Sequence, residues 1–138
     1  MADLQVAERL AQVRENITAA CVRAGRPEGS VQLVAVTKRI ALPLVVQACA
    51  AGQRHLGENR VQEAVDKQRQ TTLAVRWELI GHLQSNKAKL AATHFDRVQS
   101  VDSEKLLNQL DRAAGELGKT LSVLLQINAG HDPAKFGA

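Results

Sequence analysis

A chain of 138 residues has room for one ordinary domain with a real core and too little for two. Its hydrophobic share of 45% and charged share of 23% are those of a globular chain; the formal charge of +4 is scattered from Arg9 to Lys135, which argues against nucleic acid as a partner. With two Phe, one Trp and no Tyr, the core must be built from Leu, Val, Ile and Ala, as when helices pack on parallel strands.

In chain order, Val6, Leu10, Val13, Ile17 and Cys21 form one stripe of an amphipathic helix, which Gly25 and Pro27 stop. The run VQLVAVTK at 31–38 then reads as a strand covered on both faces. Pro43 opens a second helix through Cys49, closed by Gly52, and a short strand follows at 55–57. Asn59 is expected to cap the next helix, with Gln62 completing a capping box. A third strand falls at 77–80, a short helix at 85–92 and a fourth strand at 97–100. Asp102 or Ser103 should cap a helix with Leu106, Leu110, Ala113 and Leu117 on one face, ended by Gly118. A fifth strand is expected at 121–127.

Cys21 and Cys49 belong to no metal-ligand spacing and lie on apolar helix stripes, so buried reduced thiols are expected. Asp3, Glu8 and Arg9 interrupt the first segment, which does not read as a secretion signal, and no apolar run reaches membrane-spanning length. The expected location is the reducing cytoplasm, with no membrane partner.

A helix followed by repeated strand–helix units, with no hairpin signal, means α/β with a parallel sheet. An open doubly wound sheet and a (β/α) barrel both fit. The pattern alone leans to the open sheet, because a complete barrel typically takes about 250 residues.

Ligands gather at the carboxyl ends of parallel strands. Those ends carry Thr37-Lys38, Gly57-Glu58-Asn59, Gly81-His82, Ser100-Val101-Asp102 and Asn128, while the strand interiors are expected to stay apolar. A lysine closing an apolar strand stands beside desolvated walls that favour a nucleophilic amine, as Schiff-base chemistry requires; it also fits a side chain that simply reaches solvent. Asn59 fits a tight turn, and His82 fits either a stacking imidazole or a strand-end donor to backbone. The four histidines share no ligand spacing, and neither a GxGxxG nor a GxxxxGK[ST] phosphate loop occurs.

LVAVTK (33–38), LGENRVQE (56–63), WELIGHLQSNK (77–87), VQSVDS (98–103) and KFG (135–137) occur in register along the chain. Together they resemble the successive motifs of the pyridoxal phosphate homeostasis protein family. That resemblance implies an α/β fold, a parallel (β/α) barrel of the alanine racemase N-terminal type. It implies pyridoxal 5'-phosphate as cofactor and Lys38 as the lysine that forms the Schiff base. Asn59 and His82 match positions that line the cofactor ring, and Glu58, Gly81 and Gln84 are further motif members. It implies a non-catalytic carrier in intracellular cofactor homeostasis. Two rivals stay open: a pyridoxal-phosphate enzyme of alanine-racemase type, and an inactive truncated remnant. A racemase needs an acid/base on the opposite cofactor face, commonly a tyrosine, and the chain has none.

The family usually has Tyr after GEN, where Arg60 stands here. Its members also run on for several strands, which supply the phosphate cradle and an arginine near the pyridine nitrogen. Residues 1–138 are therefore expected to be the N-terminal portion of one barrel domain, truncated to five strands. Open strand edges would then invite self-association.

Overall fold

The computed structural model describes residues 2–138, with side chains from Gln5 onward. Helix α1 (Ala2–Arg23) ends at Gly25, whose φ of 65° lies in the left-handed region that a helix-terminating glycine supplies. Strand β1 (Ala35–Val36) leads to α2 (Leu42–Ala50), which has Pro43 in its first turn. Strand β2 (His55–Glu58) precedes α3 (Val61–Gln70), and β3 (Arg76–Leu79) precedes a 3-10 turn (Ser85–Lys87) and α4 (Ala88–His94). Strand β4 (Arg97–Val101), α5 (Glu104–Glu116) and β5 (Ser122–Leu125) complete the order.

All five strands are parallel and hydrogen-bonded in the order β1-β2-β3-β4-β5. A doubly wound sheet reverses its strand order at a switch point. Here each strand joins the edge left by the one before, the arrangement of a (β/α) barrel arc. The pattern's lean to an open sheet is thus corrected: local periodicity reports which segments are strands and carries nothing about which neighbour each takes.

Leu56, Leu79 and Val98 share one face of the sheet, and each is fully shielded by Val45, Val61, Ala64, Val65, Ala91, Leu106 and Leu110 from the helices. Burying such a side chain stabilises by about 1.5–3 kcal/mol relative to leaving it in water. The other face differs. Val36 and Leu124 are 49% and 48% exposed there, so the expectation that the first strand is covered on both faces is not met. The eight-residue run at 31–38 also yields only a two-residue ladder, since β1 has a single neighbour, β2.

Two caps separate expectation from outcome. Ser103 caps α5, its Oγ accepting from the Leu106 N–H at 3.1 Å. Asn59 does not cap α3: the N-cap is Arg60, with no side-chain bond, and Gln62 donates instead to Asp66 one turn on at 2.9 Å. Leu117, placed on the buried stripe of α5, lies in the turn after the helix and is largely exposed. Cys21 is buried and Cys49 half-buried, both free. Burial pushes the Cys49 thiol up, against the opposing charge of Arg54.

Candidate functional site

The carboxyl ends of β1, β2 and β3 lie side by side, and adjacent strands run about 4.8 Å apart. Lys38 follows β1, Asn59 follows β2, and His82 stands three residues beyond β3. The three residues singled out by motif therefore share one rim on neighbouring strands. Lys38 is exposed there, which fits the reading of a side chain that reaches solvent and not that of an amine beside desolvated walls.

The turn carrying Lys38 is held from below. The Ile40 N–H donates to the Thr37 carbonyl at 3.1 Å, closing a tight turn over residues 37–40. Arg39 has φ 58°, a left-handed conformation that costs a side-chain-bearing residue roughly 1–2 kcal/mol. Its N–H donates to Glu63 Oε2 at 2.6 Å, which holds it there. Lys67, on α3, reaches beneath the same turn. Its Nζ donates to the Thr37 carbonyl at 2.6 Å, to Glu58 Oε1 at 2.6 Å and to Glu63 Oε2 at 3.0 Å. The Thr37 hydroxyl donates to the same Glu58 oxygen at 2.6 Å. Glu58 is fully buried and Lys67 only 8% exposed. Burial alone would raise the Glu63 carboxyl. The bond and charge of Lys67 and the Arg39 N–H outweigh it and hold the group below its ordinary value.

His82 is built from three of the quoted motifs. Its ring stacks on Phe136 with centroids 3.6 Å apart and planes 9° from parallel. Its Nδ1 lies 3.5 Å from Asp102 Oδ2. Ser100 Oγ donates to the Gly81 carbonyl at 2.6 Å, tying the His82 turn to β4. Gly81 packs directly on Asn59: an added Cβ would fall well inside contact distance of the Asn59 carbonyl oxygen and 2.9 Å from its Cα. The Asn59 and His82 turns thus leave no room between them for a side chain at position 81.

Below the rim, strand interiors are not all apolar. Glu78, in the middle of β3, is 1% exposed on the face away from the helices. It accepts from Gln99 Nε2 at 2.7 Å and from Arg97 Nη1 at 3.3 Å, and lies 2.8 Å from His55 Nδ1. This polar plug locks β2, β3 and β4 together beneath the site. Sequence reasoning missed it, although a Glu within WELI was a visible break in an apolar strand.

Lys67 was missed as well. Its i,i+4 spacing from Glu63 reads as an ordinary helix-surface pair, and only the fold brings Glu58 and the Thr37 carbonyl to it. Phe136 had a signal, since it lies in KFG, but nothing linked that segment to His82.

The chain matches the family described as alanine racemase, N-terminal domain, over residues 9–138. It is 41% identical over 137 residues to the pyridoxal phosphate homeostasis protein of Pasteurella multocida, covering 97% of this chain and 59% of that protein. The solved structure of PipY from Synechococcus elongatus with pyridoxal phosphate bound superposes with a TM-score of 0.80 at 44% identity; the match covers 96% of this chain and 58% of that one. Alanine racemase from Oenococcus oeni shares the fold at 19% identity, with a TM-score of 0.70 over 99% of this chain and 36% of that one. The chain thus spans under three-fifths of the length of the curated relative.

Proposed function

The chain belongs to the alanine racemase N-terminal domain family, and from that membership we propose that it holds pyridoxal 5'-phosphate through Lys38 as a carrier in cofactor homeostasis. The observation that carries this reading is the alignment of Lys38, Asn59 and His82 on the carboxyl ends of three adjacent parallel strands. Their chemistry fits the aldehyde and ring of such a group. Bound there, it supplies an aldehyde carbon that an amine can bond reversibly.

Lys38 presents that amine at the open rim. Asn59 offers an amide that can donate and accept, and its backbone is fixed against Gly81. His82 keeps its ring plane by stacking on Phe136, with the Asp102 carboxylate 3.5 Å from Nδ1. In this reading residues 1–138 are the N-terminal portion of one pyridoxal-phosphate-binding barrel domain, acting in the cytoplasm. Among the described residues no helix is long and apolar enough to cross a membrane. Exposed Val36, Leu124 and Leu125 support self-association along the open face and edges of the sheet.

The carrier reading and the enzyme reading separate in one experiment. Wild type and Lys38→Ala are titrated with pyridoxal 5'-phosphate, followed by absorbance, and assayed with amino acids, with size-exclusion chromatography of the same samples. The carrier reading expects a bound-cofactor absorption band in wild type only, no racemisation or decarboxylation above that of free cofactor, and species larger than a monomer. Turnover well above free cofactor that Lys38→Ala abolishes would replace the carrier with an enzyme.

A further inference from the structure

The buried ammonium of Lys67 has three acceptors, and one of them is the backbone carbonyl immediately preceding Lys38. On the far side of Lys38, the Arg39 N–H is taken by Glu63, which itself bonds Lys67. Both peptide groups flanking Lys38 are therefore gripped by one charged cluster, while Lys38 itself is exposed. The cluster also holds Arg39 in its unfavourable left-handed conformation.

Resting on the reading of Lys38 as the cofactor's amine, we propose that Lys67 is a positioning residue, with Glu58 and Glu63 as its partners. It fixes the 37–40 turn so that the Lys38 amine meets an aldehyde in one orientation at the rim. A fold-stabilising ion pair alone would not need the Thr37 carbonyl. The wiring of Lys67 to both that carbonyl and Glu63 couples the pair to the geometry of the reactive residue.

The test uses Glu58→Gln/Lys67→Met, which removes both buried charges and leaves neither unpaired, so that the fold is spared. Two properties are read: amide hydrogen exchange over residues 37–40 without cofactor, and the rate and absorption band of the borohydride-trappable cofactor adduct at Lys38. The expected result is a variant that melts close to wild type but exchanges those amides about tenfold faster. Its Lys38 adduct forms about tenfold more slowly, since a displacement near 1 Å at a reacting group can cost up to 100-fold. A folded variant with wild-type exchange, rate and band would overturn the proposal.

Should the double variant not fold, Glu63→Ala decides. Its side chain is 27% exposed, and the substitution releases the Arg39 N–H and removes one Lys67 acceptor, while Glu58 and the Thr37 carbonyl still hold Lys67. Faster Arg39 exchange with a slower adduct supports the clamp, and no change in either refutes it. Absence of any Lys38 adduct in wild type would instead overturn the cofactor reading, and exchange at 37–40 would then judge the clamp alone.

Discussion

Lys67→Met alone is expected to destabilise the folded chain by about 3–5 kcal/mol, the usual cost of removing one partner from a buried ion pair. The size follows from what is left behind. Glu58 is fully buried, and its Oε2 has no hydrogen-bond partner among the described residues; its Oε1 is held by Lys67 and by the Thr37 hydroxyl. Without Lys67, one neutral hydroxyl would have to support a carboxylate cut off from water. The Thr37 carbonyl would lose a 2.6 Å charged donor at the same time. Methionine keeps most of the side-chain volume, so little of the loss comes from a cavity. Urea denaturation of wild type, Lys67→Met and Glu58→Gln/Lys67→Met reads the effect. The single substitution should fall far below the double one. Equal stability of single variant and wild type would mean that the pair is solvated in solution.

Gly81→Ala is expected to cost about 3 kcal/mol, at the upper end of ordinary overpacking, and to weaken the proposed cofactor binding as well. The new Cβ meets Asn59 backbone, not the free end of a flexible side chain, so nothing nearby can yield cheaply. Relief requires the β2 and β3 ends to separate. That moves Asn59 and His82 apart and strains the Ser100 bond to the Gly81 carbonyl. A substitution of one methyl group should therefore affect stability and site together. Denaturation and cofactor titration on the same protein check this; a variant indistinguishable from wild type in both would show that the two turns are looser than the structure places them.

How far these features can be read from the sequence depends on the range of the interactions that make them. Pro43 in the first turn of α2, Gly25 after α1 and the Ser103 cap act within a few residues, and their signals are local. The strand ends are legible for the same reason: apolar periodicity changes where each strand stops. Asn before a helix usually caps it, which makes Asn59 the expected cap, but α3 starts one residue later than that cap would need. The choice between barrel and open sheet lay in strand order, which no local pattern encodes, and the motif resemblance supplied it. Of the site, Lys38, Asn59 and His82 were legible as strand-end residues. The cluster beneath Lys38 was not, because Lys67 meets Thr37 across 30 positions of sequence.

Mapping the covalent bond itself tests most directly whether Lys38 is the cofactor's amine. The protein is incubated with pyridoxal 5'-phosphate, reduced with borohydride, digested and mapped by mass spectrometry, with Lys38→Ala as the control. The expected result is one dominant modified peptide carrying the cofactor on Lys38, and loss of that label in the variant with no compensating site. Label spread evenly over the exposed lysines, at the same total in wild type and Lys38→Ala, would contradict it.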